Sequence, residues 1–171
     1  MTRSLRTAGI VLVLALILGG AFFALRSRPS ISRGTAPSTS TTERSVPANQ
    51  PMVEIGTARF AVELARDDAA VRKGLSGRPA LPEDTGMLFL FPEPYRYRFW
   101  MPDMHFPIDI IWIANDIVVD ITEEVPPEDD LANPDFYRPR TPARYVLEIN
   151  AGAARRGGIR TGDRVTFHNI E

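Results

Sequence analysis

Asp103, His105 and Asp109 form the densest group of proton-exchanging side chains in the sequence, and they stand beside Trp100 and Met101. On an extended chain alternate side chains point the same way, so Asp103 and His105 share a side and bring a carboxylate towards an imidazole. That pair could begin a divalent-metal site, but such a site needs three or four protein ligands. The chain has 2 His and no Cys, and His168 lies near the far end. No metal or other cofactor is therefore expected. Asp103 and Asp109 around Trp100 suggest instead a pair of carboxylates, which a hydrolase uses when they converge in a cleft and one of them has a raised pKa.

Asp109 lies between Ile108 and Ile110. A carboxylate buried there needs a cation, because an unpaired buried charge costs several kcal/mol. Arg78 and Arg144 are the candidates, with Glu148 as a second acid just after Arg144. These four residues predict a buried or rim network, with structural use preferred over ligand binding, since ion networks also hold folds together. Trp100 and Tyr97 would offer stacking surface for a sugar or peptide if they line an open groove, and core packing if they do not. The candidate ligand-binding set is thus Arg78, Trp100, Met101, Asp103, His105, Asp109, Arg144 and Glu148.

Other motifs carry less. Glu123-Glu124, Glu128-Asp129-Asp130 and Asp135 fit no EF-hand spacing and lack the glycine of its sharp turn, so they read as a solvated loop. Ser76 lacks the Gly-x-Ser-x-Gly frame of a nucleophile elbow, and no phosphate loop or dinucleotide fingerprint is present.

The elements that must position these residues are mostly strands. Met52 to Ile55 and Ala58 to Ala65 alternate apolar and polar, Phe60, Val62 and Leu64 against Arg59, Ala61 and Glu63. Met87–Phe91, Tyr97–Met101, Ile108–Ala114, Ile117–Ile121, Tyr145–Ile149 and Arg164–His168 are further strands. Asn115-Asp116 forms a two-residue hairpin turn, because both residue types tolerate positive φ. Short helices are predicted from Asp68 to Leu75, capped by Asp67, and from Ala151 to Arg156, stopped by Gly157-Gly158. The fold class is mainly β: one compact β-sandwich or squat barrel with one or two short helices, behind an amino-terminal transmembrane helix.

That transmembrane helix is residues 8–25, which carry no charge. Eighteen residues at helical rise cover roughly 27 Å, close to the ~30 Å hydrocarbon core. Residues 1–7 form a basic, cytoplasmic amino terminus, and Ala8–Leu25 contacts the bilayer as an uncleaved signal-anchor. The alternative is a cleaved signal peptide, cut near Ala21, which leaves a secreted protein. Residues 26–50, rich in Ser, Thr and Pro, read as a disordered linker, and residues 51–171 as the folded domain in the periplasm or outside the cell. Residues 1–50 carry six Arg and one Glu, whereas residues 51–171 carry fourteen Arg plus Lys against twenty acids, a net charge of −6. Such a domain is not expected to bind nucleic acid, where affinity rests on neutralising phosphates.

Several blocks occur in a familiar order. They are Gly74-Leu75-Ser76-Gly77-Arg78, Gly86-Met87-Leu88-Phe89-Leu90-Phe91, Phe99-Trp100-Met101, Phe106-Pro107-Ile108-Asp109-Ile110-Ile111-Trp112-Ile113, Pro142-Ala143-Arg144-Tyr145-Val146-Leu147-Glu148, Ala151-Gly152 and, last, Gly158-Ile159 with Gly162-Asp163. Over about residues 53 to 168 the chain resembles the family of domains of unknown function 192. The resemblance implies a compact β-rich fold, often behind an export signal, and no established chemistry. Pro102 stands where that pattern expects Lys, and Asp103 where Asn is common, so the resemblance gives no catalytic role to Asp103.

These readings predict a membrane-tethered binding or accessory module for a cell-envelope component, a glycan, peptide or protein. Enzymatic activity is the lesser expectation. The alternatives are an envelope hydrolase using paired carboxylates and a purely structural or protein-interaction domain.

Overall fold

The computed structural model describes residues 49–171. The expected transmembrane segment and nearly all of the linker lie outside the described residues. Among the described residues no helix is long and apolar enough to cross a membrane.

Seven strands form a single sheet: β1 (Met52–Ile55), β2 (Ala58–Ala65), β3 (Thr85–Tyr95), β4 (Ile108–Ala114), β5 (Ile117–Val125), β6 (Ala143–Asn150) and β7 (Val165–His168). Their order is β5-β4-β6-β3-β2-β1-β7. Chemistry at the turns fixes much of this. Gly56, at φ 61°, closes the β1–β2 hairpin, and Asn115 and Asp116, at φ 49° and 60°, form the left-handed pair that joins β4 to β5. β2 and β3 run parallel, so the chain must cross over between them. That crossover contains α1 (Asp68–Lys73), whose first turn is capped by the Asp67 carboxylate, accepting from the backbone N–H of Ala69 and Ala70 at 2.9 and 2.8 Å.

The sheet curls into a half-barrel. Its two edge strands meet at one corner, where Val118 N–H donates to the Asp163 carbonyl at 2.9 Å and Val165 N–H to the Asp116 carbonyl at 2.8 Å. The mainly-β expectation holds, and between its two alternatives the curled sheet stands nearer the squat barrel than the sandwich, whose second sheet is absent among the described residues. Residues from all seven strands build one apolar cluster, among them Val53, Phe60, Leu88, Ile111, Val118, Leu147 and Val165. The helix α2 (Ala153–Arg156) adds Ala154 to it. A second cluster on the opposite face unites Met87, Phe89, Ile110, Trp112 and Val146 with Leu75 and Met101 from the loops. β4 is therefore buried on both faces, which explains its nearly unbroken apolar run.

Three expected strands differ most, among them β5, which runs on to Val125, past the expected end at Ile121. Tyr97–Met101 is not a strand but a loop joined by a single bridge, Phe99 with Tyr137, to the loop between β5 and β6, closed by two hydrogen bonds of 2.8 Å. Pro102 and the positive φ of Asp103 (54°) stop any regular ladder there. β3 runs on to Tyr95, past the expected end at Phe91, although its last residues are exposed.

Gly86 marks the tightest strand contact. A Cβ on it would lie 2.6 Å from the Glu148 carbonyl oxygen and 3.0 Å from Ile149 Cγ2 on β6. Gly86→Ala is expected to cost about 2 kcal/mol, as overpacking in a closed sheet does. In urea denaturation the midpoint should fall at constant slope; an unchanged midpoint would mean that β6 yields freely.

Candidate functional site

The eight residues singled out in the sequence do not form one site. Arg78 forms a two-pronged ion pair with Glu63, Nη2 to Oε2 at 2.7 Å, and that hydrogen bond holds the Glu63 carboxyl below its ordinary pKa. Arg144 donates from Nε to the Phe91 carbonyl at 3.2 Å. Asp103 is exposed and lies 3.5 Å from His105. Asp109 is fully buried, but both its oxygens are taken by backbone donors, Glu124 N–H at 2.8 Å and Ala154 N–H at 3.0 Å. The expected network of Arg78, Asp109, Arg144 and Glu148 therefore does not form: peptide N–H groups, not guanidinium groups, satisfy Asp109.

The physical reason lies in the fold. Between Ile108↔Val125 and Ile110↔Thr122, two residues of β5, Glu123 and Glu124, stand opposite Asp109 alone. This is a β-bulge with Glu124 at φ 54°. One Asp109 oxygen ties that bulge, and the other ties the first turn of α2, whose Gly152 cap has no side chain to offer. Glu124 in turn pairs with Arg155 of α2. Asp109 joins β4, β5 and α2, and it does not share a cleft with Asp103.

Trp100, Met101 and Glu148 do come together. They line a cleft of about 440 Å³ between α1 and the loop 97–104. Glu148 lies on β6 opposite Met87 of β3 and Ile110 of β4, on the sheet face that also carries Phe89, Trp112 and Val146. It is 4% exposed, and no group among the described residues hydrogen-bonds its carboxyl or pairs with it. Burial pushes its pKa up to about 8, so it is largely protonated at neutral pH.

Aromatic rings form the walls. Phe99 meets Phe89 edge to face at 5.0 Å and Trp112 at 5.4 Å, and Phe91 stacks on Tyr97 at 3.7 Å. Trp100, 42% exposed, stands at the mouth. Arg72 and Lys73, the last turn of α1, and Arg98 add positive charge to the lining. Arg98 itself lies over the Phe136 ring at 3.8 Å. Gly74, at φ 47°, ends α1 where a Cβ would sit 3.5 Å from the Phe89 ring. Among the described residues no three His, Cys, Asp or Glu gather closely enough to hold a metal.

The family model described as "Uncharacterized ACR" (DUF192) matches residues 51–167. The chain belongs to the DUF192 family. Two crystal structures are similar to this DUF192 domain. One is a "putative transcription regulator" from Sinorhizobium meliloti 1021, 34% identical, covering 71% of this chain and 96% of its own, with a TM-score of 0.63. The other is a protein of unknown function from Novosphingobium aromaticivorans DSM 12444, 36% identical, covering 68% and 83%, with a TM-score of 0.60. No curated protein matches the chain.

Sequence reasoning found Trp100, Met101 and Glu148, and it weighed Tyr97 as a groove residue. It missed Phe89, Phe91 and Phe99 as cleft walls, and Arg72, Lys73 and Arg98 in the lining. The signal for Glu148 was an acid inside the apolar run Val146-Leu147-Glu148-Ile149. By sequence Glu148 is placed only as a second acid in the network around Asp109, because sequence cannot show a cleft beside it.

Proposed function

We propose that this DUF192 domain is a ligand-binding module, held at a membrane by Ala8–Leu25 with its amino terminus in the cytoplasm. Its cleft would receive a glycan or peptide of the cell envelope. The observation that carries this reading is Glu148, a buried carboxyl with no protein partner at the back of an aromatic cleft. A polar group kept there lowers stability, and such sites persist where binding or catalysis uses them. The cleft also has the size and the mainly apolar lining, with few polar groups, that small-ligand sites share. The net charge of −6 over residues 51–171 argues against carrying the description of the Sinorhizobium protein over as DNA binding.

A thermal-shift screen of the full-length protein against envelope glycans, muropeptides and short peptides tests this. A ligand at a hundred times its Kd adds about 2.7 kcal/mol and should raise the melting midpoint by several degrees. In Trp100→Ala the shift should fall away while the unliganded midpoint moves little, because Trp100 is half exposed. A shift that survives in Trp100→Ala would place the binding elsewhere, and no shift with any compound would leave the structural or protein-interaction role.

A further inference from the structure

We infer that the cleft recognises a neutral amide, the acetamido or peptide group of a ligand that also carries an anion, by pairing it with the buried, unpartnered carboxyl of Glu148. This rests on the cleft being the binding site proposed above.

The argument is one of complementary groups. A protonated carboxyl has one O–H donor and one carbonyl acceptor in a single plane. An amide presents the reverse pair, C=O and N–H, so the two can satisfy each other completely where water is excluded. Glu148 is surrounded on its own face by Met87, Phe89, Ile110 and Val146, none of which can donate with a side chain and only the Met87 sulfur of which can accept, weakly. A ligand must supply both halves of the pair.

Burial alone favours the neutral form, because nearby cations by themselves favour a carboxylate. α1 contributes Arg72 and Lys73, the 97–104 loop contributes Tyr97 and Arg98, and β3 and β4 contribute none in contact with Glu148. None of these groups hydrogen-bonds Glu148, and burial raises the Tyr97 hydroxyl above its ordinary pKa. With cations lining the cleft, an ammonium ligand meets repulsion on entry, whereas a carboxylate beyond the amide meets attraction.

Calorimetric titration of the full-length protein distinguishes these chemistries. The probes are N-acetylmuramic acid and N-acetylalanine, which carry an amide and a carboxylate on a sugar and on an amino acid. Muramic acid and alanine present an ammonium in the same places. The N-acetyl probes are expected to bind, with affinity falling about tenfold per pH unit above pH 8 as Glu148 ionises. Whichever N-acetyl probe binds more tightly tells a glycan source from a peptide source. Glu148→Ala should abolish binding, and Glu148→Gln, whose amide keeps a donor and an acceptor, should restore it without the pH dependence. Tighter binding of the ammonium probes, rising with pH and lost in Glu148→Gln, would overturn the amide assignment and keep the cleft as a binding site. Binding of no probe would also overturn it, and the Trp100→Ala screen then decides the binding reading separately.

Discussion

Glu148→Gln is expected to melt roughly 5–10 °C above the wild type at pH 7, and the gap should close towards pH 4.5. The carboxyl ionises at about 8 when folded and near its ordinary 4.5 when unfolded. Between those values the folded state holds a proton that the unfolded state has released. Stability therefore falls as pH rises from about 4.5, and it levels off above about 8. At 1.36 kcal/mol per pH unit, this costs the wild type about 3 kcal/mol at pH 7. Glutamine keeps the shape and loses the proton linkage, at the lesser cost of a buried amide without partners. Melting curves from pH 4.5 to 9 would show a falling wild-type midpoint and a flat variant. Parallel curves would mean that a cation or hydrogen-bond donor reaches the carboxyl in solution. A stabilising substitution at a buried polar residue is what a binding site predicts, since function holds the costly group in place.

Asp109→Ala should produce the opposite and larger loss, about 3–5 kcal/mol in chemical denaturation. Two peptide N–H groups, on Glu124 and Ala154, lose their acceptor in a site closed to water. Each buried orphan costs about 1–3 kcal/mol, and the emptied volume adds to that. Glu124 also holds a positive φ, so the bulge has a second reason to relax once untied. Amide exchange should quicken at Glu124 and Ala154 before it does at the β3–β6 ladder. Asp103→Ala, on an exposed residue paired only with His105, should change stability by no more than about 0.5 kcal/mol. A loss at Asp109 as small as that at Asp103 would remove the carboxylate from the joint between β4, β5 and α2.

Opposite expectations for two acids follow from their surroundings, not from their type. Asp109 and Glu148 both interrupt apolar runs, and both are almost fully buried. One faces a bulge and a helix start that offer peptide N–H groups, whereas the other faces a cleft that offers none. An arginine was the natural partner to expect for each. The arginines went elsewhere: Arg78 is taken by Glu63 on the neighbouring β2, and Arg144 by a backbone carbonyl.

The sequence by itself determined most of the strands and their turns, though not the loop at Tyr97–Met101 or the far ends of β3 and β5. Alternation in Ala58–Ala65, the left-handed pair Asn115-Asp116 and the Asp67 cap are local, and local chemistry suffices to set them. It also determined the family, because several blocks in order need no knowledge of contacts. Only the tertiary structure decided that β2 and β3 pair in parallel, that the two sheet edges meet, and which buried acid is satisfied. Those outcomes depend on residues far apart in the chain. Glu148 is brought beside Met87 and Ile110 by strand order, and it faces α1 and the 97–104 loop because a crossover and a single bridge hold them there. Hydrophobic pattern fixes which face a side chain takes, but what stands across from it is set by topology.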